Sequence, residues 1–171
     1  KKNKQDHMIA TLPVQKVNYG KSETKRAITK VLDKVLQEYK FSSLAELNAV
    51  LGLYNIRAER GMPGSVMHEK GGLYYRILDD RSKATGVPVK ASSIHCSPTL
   101  ANLQQIFKVN EALKQANKKT VKAKIDWVLH QPPKDLNGLM EALKKEKITL
   151  VIRQNEEGRV YGLTYIDHAT K

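Results

Sequence analysis

The chain has 171 residues, 40% of them hydrophobic and 27% charged, which gives enough length and apolar content for a domain with a packed core. No apolar run nears the ~18 residues of a membrane-spanning helix, no signal-peptide pattern opens the chain, and one cysteine excludes an internal disulfide. With 30 basic residues against 17 acidic ones the net charge is +13, which suits either a polyanion partner or a lysine-rich solvated surface. A lone thiol fits a reducing, cytoplasmic setting. The chain opens on Lys1 rather than Met, as a piece of a longer protein or a processed product does.

Residues 1–21 contain Pro13 and Gly20, lack helical periodicity and read as an arm or linker. A helix follows, capped by Ser22, with Ile28, Val31, Leu32, Val35, Leu36 and Tyr39 on one apolar face. Ser43 and Glu46 form an S-x-x-E capping box for a second helix bearing Leu44, Leu47 and Leu51. "NIRAER" alternates like a half-buried strand, "GMPG" breaks it, and Ser65–Glu69 reads as a short strand or a loop. "LYYRIL" (73–78) is a strand by composition, "DDRS" turns the chain, and "GVPVKASS" is a further strand whose Pro88 suits an edge. Ser97 and Pro98 read as the N-cap and first position of a helix carrying Leu100, Leu103, Ile106, Phe107 and Leu113. After "QANKKT" a second amphipathic piece points Val121, Ile125, Val128 and Leu129 inward, with Trp127 nearby, and "QPP" ends it.

The C-terminal region repeats the order of the first unit. At an offset of 92, Leu44, Leu47, Leu51 and Ile56 fall on Leu136, Leu139, Leu143 and Ile148. With a shorter loop, Tyr75, Ile77, Leu78 and Asp79 fall on Leu163, Tyr165, Ile166 and Asp167. The expected fold is therefore α+β. Two helix-plus-antiparallel-strand units (about 42–95 and 134–171) are joined by a helical middle segment and preceded by an N-terminal helix. As domains this is the arm and one domain over 22–171, made of unit one at 41–96, a connector at 97–131 and unit two at 134–171. Unit one has a third strand with no counterpart in unit two, as a chain cut short at its C-terminal end would show.

Chemistry-bearing motifs are sparse. His95 and Cys96 sit side by side, but neighbouring positions on a strand face opposite ways, and the other histidines (His7, His68, His130 and His168) show no ligand spacing. A strand end followed by a helix cap explains that corner better than catalysis. "GMPGS" and "EKGG" lack the lysine spacing of a phosphate loop and read as turns. Asp79-Asp80 and Glu156-Glu157 fall in turns. Tyr54, Tyr74, Tyr75, Tyr161 and Tyr165 lie on or beside strands, where they either stack bases or pack the core. Tyr19 stands apart in the polar arm.

The segments "YGKSETKRAI", "FSSLAELNAVL", "GLYYRILDD", "GVPVKASS", "PTLANL" and "GRVYGLTYIDHATK" together resemble the region behind the nuclease domain of mobilisation relaxases from bacterial conjugative and mobilisable elements, plasmids and transposons. The resemblance runs from about Leu12 to Lys171. It implies a parent enzyme that nicks one DNA strand at an origin of transfer, with its tyrosine nucleophile and metal-binding histidines in an upstream domain. It also implies a further strand beyond Lys171. No catalytic residue, metal ligand or cofactor transfers to this chain. The expectation is a non-catalytic, cytoplasmic accessory domain that binds transfer-origin DNA, single-stranded or at a junction. The candidate contacts are Lys21, Lys25, Arg26 and Lys30 on the first helix, Lys90 at a strand end, and Lys114, Lys118, Lys119 and Lys122 on the helical middle. The alternatives are a scaffold docking accessory mobilisation or coupling proteins, and an independent enzyme built on His95, Cys96 or the Asp pairs.

Overall fold

The computed structural model describes residues 15–20, 23–155 and 157–171; Lys21, Ser22, Glu156 and residues 1–14 of the expected arm lie outside them. The fold is α+β, with five α-helices and two small antiparallel sheets among the described residues. Helix α1 (Thr24–Glu38) buries Ile28, Val31, Leu32 and Val35, the apolar face expected from the three- and four-residue spacing. Helix α2 (Leu44–Gly52) starts as the capping box predicts, with Ser43 Oγ accepting from Glu46 N–H at 3.2 Å. The return contact differs by one residue, because Glu46 Oε2 accepts from Ser42 N–H (2.7 Å) rather than from Ser43.

Strands β1 (Ile56–Arg60), β2 (Leu73–Leu78) and β3 (Ala84–Lys90) form a meander in the order β1-β2-β3. Pro88 therefore lies on an edge strand, as its missing N–H requires. Strand β3 stops at Lys90 and passes into a 3₁₀ turn, Ala91–Ser93, rather than running on through Ser93. Ser65–Glu69 is neither strand nor loop: Ser65 caps the one-turn helix α3 (Val66–Glu69). On the far side of β1, the Asn48 side chain donates to Ala58 C=O (2.9 Å) and accepts from Ala58 N–H (2.7 Å), standing in for a neighbouring strand. Asn48→Ala is expected to leave both groups unpaired in a buried position and to lower stability by about 1–3 kcal/mol in urea unfolding.

The middle of the chain is one continuous helix, α4 (Leu100–His130, 31 residues), roughly 46 Å long at about 1.5 Å per residue. The expected break at "QANKKT" is absent because Gln, Ala and Lys are good helix formers and nothing there stops the ladder. Its start also differs. Ser97 takes a left-handed φ of 42°, Pro98 precedes the helix, and Thr99 is the N-cap, accepting from Asn102 N–H. Pro98 C=O instead accepts the buried Tyr75 hydroxyl at 2.8 Å. The first half of α4 packs Leu103, Ile106 and Phe107 on the first unit, and its second half packs Val121, Ile125 and Val128 on the second. Leu113 and Leu129 do not face inward as expected but are exposed, as is the neighbouring Trp127, by 73%.

Helix α5 (Leu136–Lys145) and strands β4 (Ile148–Gln154) and β5 (Val160–Asp167) make the second unit, around a small core of Val128, Leu143, Ile148 and Leu150. Two features match the first unit at the expected offset. Ser43 and Asp135 are both N-caps, and Asn55 and Lys147, just before β1 and β4, both take left-handed φ values of 60° and 61°. The strand alignment does not match. Ile56 pairs with Ile77 while Ile148 pairs with Asp167, so Asp167 corresponds to Ile77 and not to Asp79. The two aspartates differ physically. Exposed Asp79 closes the β2–β3 turn by accepting from Arg81 and Lys83 N–H, whereas buried Asp167 accepts from Lys124 Nζ (3.1 Å), Thr170 Oγ1 (2.7 Å) and Ala169 N–H (3.2 Å).

Beside Asp167, the His168 ring joins the units: Nδ1 lies 3.0 Å from Tyr39 Oη and Nε2 lies 2.8 Å from Thr149 Oγ1. Burial lowers the His168 pKa, Asp167 works against that shift and Lys171 adds to it. Burial pushes Tyr39 up to about 12, so its hydroxyl stays protonated. With a folded pKa below the unfolded value, His168 contributes stability above about pH 6.5 that is lost as pH falls through the folded pKa. The melting temperature is expected to fall between pH 7.5 and 5, and His168→Gln is expected to flatten that fall.

Candidate nucleic-acid interface

Helix geometry brings Lys25, Arg26 and Lys30 to the exposed side of the first two turns of α1. They border a shallow depression that Glu23, Ser93 and His95 also line. Lys90 ends β3 just before this region and is held near it by the 3₁₀ turn, where Ser93 Oγ donates to Lys90 C=O at 2.8 Å. Among the described residues none of these four cations has a carboxylate oxygen within 4.0 Å. Lys25 and Arg26 also sit where the helix dipole disfavours positive charge, and α1 has no acidic residue in its first turn. The acid at that end is the N-cap residue, Glu23, which lines the same depression.

Part of the expected arm is tied to the first sheet and the turn before it. Val17 is buried; its N–H donates to Tyr54 C=O (3.1 Å) and its C=O accepts from Asn55 Nδ2 (3.3 Å). The Tyr19 ring lies over Gly86 of β3, at a left-handed φ of 70° where a side chain would collide with that ring. Tyr19 remains 57% exposed, so an aromatic face adjoins the strand that ends at Lys90.

The α4 lysines do not form one stripe. Lys114 is a strut: it pairs with Glu46 and Glu111, each at 3.0 Å, and bonds to Ser42 Oγ, tying α4 to α2. Burial works to lower its pKa, but the two carboxylates outweigh that and raise it. Lys122 pairs with Asp126 in an exposed contact of little energetic weight. Lys118 and Lys119 are exposed, with no carboxylate within 4.0 Å among the described residues. Lys118 and Lys122 line a groove of about 620 Å³ between α2, α4 and β5; Lys119 lies outside it.

Sequence reasoning missed three cations of this groove, Lys40, Arg153 and Lys171. Arg153 stacks over Tyr161 at 5.7 Å and lies against Gly162, where a Cβ would displace its guanidinium; its Nε is buried with no hydrogen-bond partner among the described residues. A lone arginine in "TLVIRQ" carries no signal of that placement.

No family model, curated protein or solved structure matches the chain. The site is therefore read from its own geometry.

His95 and Cys96 are exposed and stand at the corner between β3 and α4. Desolvation of the thiol on its protein-facing side, and then the Asp33 carboxylate, raise the Cys96 pKa, the wrong direction for a nucleophilic thiolate. No three His, Cys, Asp or Glu residues come together as a metal site among the described residues. Of the tyrosines, Tyr75 is core, Tyr74 lies under Arg76, and Tyr54 and Tyr165 are half-buried. Only Tyr19 and Tyr161, 57% and 66% exposed, offer a ring to a ligand.

Proposed function

We propose that this chain is a non-catalytic accessory domain of a mobilisation relaxase and that it binds single-stranded or junction DNA of a transfer origin through its basic surfaces. The observation that carries the reading is the group formed by Lys25, Arg26 and Lys30 on α1, with Lys90 bonded through its C=O to the Ser93 that lines the same depression, none of the four having a carboxylate oxygen within 4.0 Å among the described residues. Cations at a helix start, against the dipole, are suited to a site where a phosphate adds to the single negative charge of Glu23. Tyr19 can stack a base whatever its identity, and the lysines neutralise phosphates without reading sequence. Lys118 and Lys119 give a second, separate patch; Lys114 is assigned a structural role instead. The parent's nicking chemistry belongs to an upstream domain. We also read the two units as copies of one ancestral element, supported by the shared N-cap and left-handed positions.

A scaffold function is the second reading. It is favoured by the exposed apolar residues Trp127 and Leu129 at the end of α4 and Leu136 and Met140 on α5. Acetylation footprinting of the protein with a 30-nucleotide single strand separates the two. Protection of Lys25, Lys30 and Lys90, with Lys144 and Lys145 unprotected, is the expected result. Uniform labelling with and without DNA at low salt would overturn the DNA reading.

A further inference from the structure

The depression beside α1 has two walls. One is the start of the helix, carrying Lys25, Arg26 and Lys30, and the other is Ser93 and His95 from the segment between β3 and α4. The second wall is held in place from within. Ile94 N–H donates to Ala91 C=O at 3.1 Å and Ser97 N–H donates to Ile94 C=O at 2.8 Å, so His95 and Cys96 are the central pair of a tight turn. Both ends of that turn are anchored: Ile94 is fully buried, and the buried Pro98, just beyond Ser97, accepts the Tyr75 hydroxyl. His95 is thus an exposed residue on a fixed backbone.

The donors that face the depression are few. Thr29 Oγ1 donates to Lys25 C=O (2.8 Å) and Ser93 Oγ donates to Lys90 C=O (2.8 Å), so neither hydroxyl has a proton left for an anion. The Glu23 carboxylate only accepts. What remains is three cations on the α1 wall and the His95 imidazole on the other. Among the described residues His95 has no carboxylate oxygen within 4.0 Å. The charged groups that share the depression with it are Glu23, Lys25, Arg26 and Lys30, and its turn neighbour Cys96 is set against Asp33.

Histidine is the side chain that changes charge between about pH 5 and 8. A neutral imidazole offers a phosphate one N–H, whereas a protonated one offers two together with a positive charge. Charge-assisted bonds to phosphate are roughly twice as strong as neutral ones. We propose that His95 is a further phosphate contact of the α1 site, one that engages in its protonated form and makes DNA binding tighten as pH falls. A strand in the depression is then held from both walls at low pH and from α1 alone at high pH. By reciprocity, binding takes up a proton over the same range. This inference rests on the DNA reading of the surface and adds to it a regulation by pH.

The test is fluorescence anisotropy of the whole chain with the 30-nucleotide single strand, near pH 8 and near pH 6, across salt concentrations. Protonation adds one contact, so affinity at 0.1 M salt should rise about fivefold on acidification and the salt slope should steepen by up to about 0.7. His95→Gln should keep the affinity seen near pH 8 and lose both changes. His95→Lys should show the low-pH affinity near pH 8 as well. His68 and His130 do not line the depression, and His168 belongs to the joint with Tyr39. Glutamine at those positions, or at His7, should leave the dependence intact. Melting curves at both pH values keep the stability loss expected from His168 apart from any loss of binding. Equal affinity at the two pH values, or a dependence that survives in His95→Gln, would overturn this inference and leave the DNA reading standing. Absence of binding at both pH values would overturn the two together.

Discussion

Reversing Lys25, Arg26 and Lys30 together to glutamate is expected to lower affinity for a 30-nucleotide single strand by about 100-fold at 0.1 M salt, measured by fluorescence anisotropy. Each phosphate contact on a single strand contributes about 0.7 to the salt slope, so the loss of three should flatten it by about 2. The variant separates binding from folding. All three side chains are exposed, and glutamate in the first turn of α1 suits the helix dipole better than the native cations do. Its melting temperature should therefore hold or rise while binding is lost. Reversing Lys144 and Lys145, exposed in the last turn of α5, should change affinity less than about threefold. Equal losses from both sets would mean that net charge, not the α1 patch, attracts the strand.

Leu143→Ala is expected to cost about 2–5 kcal/mol, the range for truncating a fully buried leucine. The consequence should be local. Among the described residues the buried companions of Leu143 are Val128, Ile148 and Leu150, while the larger core under α1, α2 and the first sheet takes in only Ile166 of the second sheet as a buried residue. With so few buried partners, the second unit should open before the whole chain does. Hydrogen exchange should speed up at the β4 and β5 amides and stay slow at β1 and β2. Leu51→Ala, at the matching position of α2, should instead raise exchange in the first sheet. The joints that limit this independence are visible: Tyr39 to His168, and Lys171 to Glu38, both between α1 and the residues after β5.

Local patterns carried much of the fold. "LYYRIL" alternates buried and half-buried residues over β2 as its composition implies, and the Ser43 capping box starts α2 where the spacing places it. What failed was decided at longer range. Ser97-Pro98 resembles a helix start, yet Pro98 C=O is needed by the Tyr75 hydroxyl, 23 residues earlier, and the cap passes to Thr99. Asp79 and Asp167 look equivalent in sequence, but only strand pairing shows that one closes a turn and the other is buried beneath Lys124. The site was legible to a similar degree. Lys25, Arg26 and Lys30 share a face by helical spacing alone. Lys114 looked like their equivalent on α4 until its partner Glu46, 68 residues away, made it a strut. Arg153 left no mark in the sequence, because its place against Gly162 and Tyr161 is set by the pairing of β4 with β5.

We propose that phosphate neutralisation by unpaired surface cations lets this chain hold a DNA strand. Its most direct test is the affinity of the unmodified protein for a single-stranded oligonucleotide measured across salt concentrations. Four contacts, from Lys25, Arg26, Lys30 and Lys90, predict a linear fall of log affinity with log salt of slope about −3 or steeper. No measurable binding at low salt, or an affinity indifferent to salt, would contradict it.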